Sequence, residues 1–227
     1  MTPDHWLHPP TLKAATIAQR EIAEAVETHD RPAASALVGG ADTSSRWRDV
    51  RGPIHAVIVA DGRVGAVSEV PPFPYVPGYL GFREAPALVR AWGMLAERPG
   101  LILVDGQGRA HPRRCGVASQ LGVVLDVPTI GVAKSLLCGA IEGVVGPAPG
   151  DRAAVVDRGE TIALALRTRA RATPIYVSIG HRVSLDQAAG IVLALTGGRR
   201  LPAPIRAAHD AANAVRRAFQ ADGEGDA

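Results

Sequence analysis

A chain of 227 residues, 47% hydrophobic and 21% charged, is long enough for one large domain with a proper core. No run approaches the roughly 18 apolar residues needed to cross a bilayer. The start, MTPDHWLHPP, has no positive n-region or apolar h-region, so a cytoplasmic protein that does not engage the membrane is expected. Cys115 and Cys138 lack metal or redox spacing and fit free thiols, while the net charge of +3 permits an acidic partner without demanding one.

Leu12, Ala15, Ile17, Ala18, Ile22, Ala25 and Val26 recur at helical spacing and predict an amphipathic helix over residues 11–28, broken at Arg31-Pro32. Three apolar runs follow: SALVGGAD ending at Asp42, IHAVIVAD ending at Asp61, and RVGAVSEV from Arg63, with Asp61-Gly62 as a hairpin turn. The stretch PFPYVPGYLGFREAP, Pro72 to Pro86, gathers Phe73, Tyr75, Tyr79 and Phe82 between Pro72, Pro74 and Pro77. Prolines fix φ and remove donors, so this reads as a stiff loop carrying large flat side chains. Glu84-Ala85-Pro86 then opens a helix with proline in its first turn, ending near Arg98-Pro99-Gly100.

LILVDG reads as a buried strand, CGVASQLGVVLD as a helix, PTIGVA as another strand, and TIALALRT and PIYVSIG as two more. SLDQAAGIVLAL is a helix with a Ser N-cap, and APIRAAHDAANAVRRAF a last basic amphipathic helix. Residues 1–220 form one domain in this reading, and ADGEGDA (221–227) a disordered acidic tail. The fold class is α/β, a mixed sheet with helices on both faces. Several folds have this order. The ribonuclease H-like fold is one, and it sets the first and fourth strands side by side, bringing Asp42 and Asp105 to one edge.

Both aspartates end apolar strands and precede small residues, where open α/β sheets place their sites. Paired carboxylates repel unless a cation lies between them, and Mg²⁺ prefers such oxygen donors; Glu84 is a third candidate. Turn or cap roles are the commoner fate of an aspartate at a strand end, and suit the same two residues. Lys134, directly after PTIGVA, is a point charge fit for a phosphate, or a solvated lysine. His181, between a strand and a helix, could handle a proton, a water or a metal, or serve as a cap. No P-loop, dinucleotide fingerprint, zinc-type cluster or nucleophile elbow is present.

Taken together and in order, PYVPGYLGFRE, VDGQGRAHPRRCGVASQLGV, PTIGVAKSLL, LRTR and YVSIGHRVSLDQA closely resemble the endonuclease V family of deoxyinosine-specific endonucleases, from the first helix to about Leu195. The resemblance implies the ribonuclease H-like fold and cleavage of the second phosphodiester bond 3′ to hypoxanthine, dependent on Mg²⁺ with Mn²⁺ as a substitute. It implies Asp42 and Asp105 as metal-binding residues, Glu84 as the catalytic glutamate, and Lys134 and His181 as supporting active-site residues. The Tyr75 stretch matches a strand-separating wedge, and Leu80, Gly106 and Gly116 match positions around a base pocket. The expected partner is DNA containing deoxyinosine, with inosine-containing RNA as the alternative, acted on by a monomer. Gln107 and Gln120 depart from the usual histidines, and DTSS lacks the bulky residue common after the first aspartate. A binding module without catalysis is disfavoured by the intact carboxylates, and a small-substrate enzyme by the aromatic loop.

Overall fold

The computed structural model describes residues 2–46 and 49–225. Helix α1 (Leu12–Ala25) starts at Thr11, whose hydroxyl accepts from the Ala14 N–H at 3.1 Å, and stops short of the expected residue 28 because Val26 is extended. Then come β1 (Val38–Ser45), β2 (Ile54–Ala60), β3 (Arg63–Glu69), α2 (Gly81–Gly93), β4 (Leu101–Asp105), α3 (Val117–Leu125) and β5 (Thr129–Ala133). The chain continues through β6 (Ala140–Glu142), β7 (Arg152–Asp157), β8 (Glu160–Leu166), β9 (Ile175–His181), α4 (Leu185–Ala194) and α5 (Ala203–Gly225). Ser184 caps α4 as expected, accepting from the Gln187 N–H.

One sheet holds all nine of these strands in the order β3-β2-β1-β4-β5-β9-β8-β7-β6. The first and fourth strands are parallel neighbours, as the ribonuclease H-like reading requires. The hairpin turn at Asp61-Gly62 is present, with φ of 47° and 74°. Side-chain alternation sorts the core. Ala41, Ile54, Ile58, Ile102 and Val104 pack on one face against Leu88 of α2 and Leu121 of α3. Leu101, Leu103, Ile130 and Val132 pack on the other against Val192 of α4 and Ile205 of α5. Gly40 lets α5 approach that face: a Cβ there would lie 2.0 Å from the Pro204 carbonyl oxygen.

Five local expectations need correction. Asp42 does not end β1. The parallel pairing with β4 stops at Ala41↔Val104, but β2 carries the strand on to Ser45, so Asp42 sits just past the last parallel rung. Pro86 is inside α2, because the chain starts to wind in the aromatic loop, with the Phe82 N–H bonded to the Tyr79 carbonyl and those of Arg83 and Glu84 to Leu80. The same helix ends at Gly93, before Arg98. Strands β6 and β7 escaped the sequence reading, although Arg158-Gly159, with φ of 55° and 79°, repeats the conformation of Asp61-Gly62 and closes the β7–β8 hairpin. The backbone of α5 runs to Gly225, so the expected acidic tail is helical up to there, and residues 226–227 lie outside the described residues. Among the described residues no helix is long and apolar enough to cross a membrane.

Candidate active site

Because β1 and β4 are parallel and in register, Asp42 and Asp105 follow a paired rung, Ala41↔Val104, on the α5 face. His209 of α5 joins them: ligand atoms of Asp42, Asp105 and His209 lie within 4.8 Å of one another. Asp42 is held on both oxygens, Oδ1 accepting from the Thr43 N–H at 2.7 Å and Oδ2 lying 2.9 Å from His209 Nδ1. Burial and then the neighbouring Asp105 charge raise its pKa. Lys134, one residue past β5, donates to Asp105 Oδ2 at 2.5 Å. Glu84 enters from α2 and accepts from the Thr43 hydroxyl at 2.6 Å. Burial, with smaller contributions from Asp42 and Asp105, pushes its carboxyl up to about 7. Three carboxylates and one ammonium thus meet where β1, β4 and β5 end their parallel pairing.

A cleft of about 290 Å³ opens beside them. Tyr75 and Leu80 form one wall, Gly106 and Gly116 another, and Glu84 and Asp105 line it as well. A side chain at Gly116 would obstruct this packing, since a Cβ there would come within 2.2 Å of the Gln107 carbonyl oxygen. A second depression of about 320 Å³ shares Tyr75, Leu80 and Glu84, so the loop forms a ridge between two hollows. The loop's aromatics divide their work. Phe73 and Phe82 are buried with Ala15 and Ala18 of α1, whereas Tyr75 is 54% exposed. The Gly78 carbonyl accepts from Gln19 Nε2 at 3.0 Å, from an Arg113 guanidinium nitrogen at 2.6 Å and from His111 Nε2 at 3.1 Å. Burial and then the Arg113 cation drive the His111 pKa down to about 4, which keeps the ring neutral. The loop is anchored to α1 and to the β4–α3 connection.

The family model for endonuclease V matches residues 20–210. The chain belongs to the endonuclease V family. An endonuclease V from Rhodospirillum centenum is 48% identical over 94% of this chain and 92% of its own. The crystal structure of endonuclease V from Streptomyces avermitilis superposes with a TM-score of 0.83 at 36% identity, covering 97% of each chain. That of the Ciona intestinalis endonuclease V, in complex with a 24mer DNA containing an inosine followed by a ribo-adenosine, gives 0.74 at 27% identity over 88% of this chain and 95% of that one. The fold is ribonuclease H-like and the protein is a nuclease.

Within this endonuclease V fold, Asp42, Glu84, Asp105, Lys134, Tyr75, Leu80, Gly106 and Gly116 are brought together, and His181 is not. Strand β9 runs antiparallel to β5, so Tyr176 pairs with Ala133 beside Lys134 while His181 pairs with Thr129 at the far end. There His181 is buried, accepts from the Glu27 N–H at 3.2 Å, and has its pKa lowered by burial and then by Arg182. The histidine at the carboxylates is His209, which the sequence reading missed. Its signal was faint: it lies next to Ala208, on the flank of the Ile205–Ala208–Ala212 stripe that α5 buries. Of the two glutamine departures, Gln107 donates to the Ser135 carbonyl at 2.8 Å, tying the cleft wall to the Lys134 loop. Gln120 donates to the Trp6 carbonyl at 2.7 Å behind α2. His181→Ala is expected to lower stability by about 1–3 kcal/mol, through a cavity and an unpartnered N–H, with single-turnover cleavage unchanged at a temperature where it is folded. Thermal melting and cleavage rates check both parts.

Proposed function

We propose that this endonuclease V cuts DNA at the second phosphodiester bond 3′ to a deoxyinosine whose base has left the stack, using Mg²⁺, for which Mn²⁺ can substitute. The observation that carries the reading is that one cleft runs from the exposed Tyr75 and the close-packed Gly116 to Glu84 and Asp105. Base and reacting phosphate then occupy a single continuous site. The DNA seen with the Ciona intestinalis enzyme supports the choice of substrate.

The donor set fits a hard divalent cation. Asp42 and Asp105 offer carboxylate oxygens; burial first, and then the neighbouring carboxylates, raise Asp42 and Glu84, and the repulsive part is relieved when positive charge enters. Asp42 and Asp105 would hold the cation, which supplies an acidified water and positive charge for the phosphate. Glu84, pushed up to about 7 by burial and then by its carboxylate neighbours, is suited to take up or release a proton at its own carboxyl near neutral pH. Lys134 holds Asp105 and adds a cation where phosphate charge develops. Tyr75 fills the space the extruded base leaves, and Leu80, Gly106 and Gly116 enclose the base. The protein would act in DNA repair, as a monomer in the cytoplasm.

Lys134→Ala is expected to slow single-turnover cleavage by about 10²-fold with the fold intact, and Lys134→Arg to recover only part of the rate, because a planar fork replaces a point charge. Incubating end-labelled DNA carrying one deoxyinosine, with and without Mg²⁺, and mapping the cut tests the proposal. A cut elsewhere, or an equal one in chelator, would refute it.

A further inference from the structure

The face of His209 turned away from the carboxylates has partners of its own. One helical turn on, Asn213 places its amide nitrogen 3.0 Å from His209 Nε2. The Asn213 amide oxygen accepts from the Ser44 hydroxyl at 2.9 Å and from an Arg216 guanidinium nitrogen at 3.5 Å. Ser44, two residues beyond Asp42 on the same face of β1, accepts in turn from Arg216 Nε at 3.0 Å.

The donors and acceptors present set one direction through these bonds, starting from the guanidinium. A guanidinium has donors and no acceptor, so the Ser44 oxygen accepts and its only proton points on to Asn213 Oδ1. With two donors on its oxygen, Asn213 turns its NH₂ toward His209. A flipped amide would set its NH₂ against the Arg216 guanidinium and take away the acceptor of both that nitrogen and the Ser44 proton. Nε2 therefore carries a lone pair, and the ring proton is on Nδ1, 2.9 Å from Asp42 Oδ2.

We infer that Arg216, Ser44 and Asn213 form a one-way hydrogen-bond relay that holds His209 in the Nδ1–H tautomer, so that His209 orients the Asp42 carboxylate. Ser44 and Asn213 are positioning residues that act through His209. Neither ring nitrogen keeps a free lone pair, which leaves the oxygens of Asp42 and Asp105 as the donors for a cation. The importance of the relay for catalysis rests on the proposed role of Asp42; the tautomer itself does not.

The test is ¹⁵N NMR of the histidine side chains in the metal-free full-length protein, with His209 assigned by its absence in His209→Gln. In the wild type, Nε2 is expected to be the unprotonated nitrogen. In Asn213→Asp, nearly isosteric but with oxygens that only accept, Nε2 is expected to gain a proton; a merely structural residue would not produce that reversal. In Ser44→Ala the single tautomer is expected to give way to a mixture, and cleavage of inosine DNA to fall by about 10–100-fold. A protonated Nε2 in the wild type, or an unprotonated one in Asn213→Asp, would overturn the relay. Full cleavage by Ser44→Ala would overturn its positioning role. Absence of inosine cleavage by the wild type would count against the proposed function and leave the tautomer result standing.

Discussion

Asp42→Asn or Asp105→Asn is expected to slow single-turnover cleavage of an inosine duplex by about a thousandfold or more, a loss of ~4 kcal/mol of transition-state stabilisation, with binding of the same duplex largely retained. Asparagine keeps the size of each side chain and its capacity to accept a hydrogen bond, but removes the charge that draws a cation. Binding is expected to persist because the proposed contacts to base and phosphates, from the loop and from arginines, do not need the cation. Asp42 makes a further distinction possible between folding and catalysis. Its pKa is raised in the folded protein, first by burial and then by Asp105. A raised folded pKa means a contribution to stability that is fully present below the unfolded pKa and lost as pH rises through the folded one. At neutral pH the ionised carboxylate therefore opposes folding. Asp42→Asn in chelator should melt no lower than the wild type at neutral pH, and its advantage should fade as pH drops below the unfolded value of about 4. A clear drop in melting temperature at neutral pH would mean that the bonds to Thr43 and His209 outweigh the charge. Near-wild-type cutting at limiting Mg²⁺ would remove both aspartates from the site.

Tyr75→Ala is expected to impair cleavage of inosine in a duplex by about 10–100-fold while affecting single-stranded inosine DNA much less, because only the duplex must be held open against an unstacking cost of a few kcal/mol. The structure supplies the reason for choosing Tyr75. Phe73 and Phe82 are buried against α1, whereas Tyr75 stands on the ridge between the two depressions that share Glu84. Arg113, Gln19 and His111 fix the Gly78 carbonyl, so the ridge is already ordered and little entropy is lost when DNA arrives. Tyr75→Phe should be mild, since the ring matters more than the hydroxyl. Single-turnover rates on matched duplex and single-stranded substrates, with circular dichroism to confirm folding, check this. Equal losses on both would make Tyr75 a general contact to base or backbone.

Sequence carried the carboxylates further than it carried the histidines, and the reason is physical. Asp105 and Lys134 each terminate a continuous apolar run, and a run buried on both faces announces a central strand without help from the rest of the chain. Asp42 was legible for the same reason, although its place within β1 was not, because the extension to Ser45 is imposed by pairing with β2. The aromatic loop was legible through its prolines, while Pro86 misled because α2 begins earlier, on the carbonyls of Tyr79 and Leu80. His181 was misplaced because a strand run does not encode its direction: reversing β9 moves its carboxyl end to the opposite side of the sheet. His209 meets Asp42 across 167 residues of chain, a contact made only when α5 docks on the sheet. The relay through Asn213 and Ser44 depends on that docking too.

The joining of base recognition to the carboxylates in one cleft is tested most directly by single-turnover cleavage of four otherwise identical end-labelled duplexes carrying hypoxanthine, guanine, adenine or uracil at one position, in Mg²⁺. The expected result is a single product from the hypoxanthine strand, cut at the second phosphodiester 3′ to the base, with the other strands cut far more slowly and none cut in chelator. Comparable cutting of the guanine and adenine strands at the same position would show that the cleft beside Glu84 and Asp105 does not read the base.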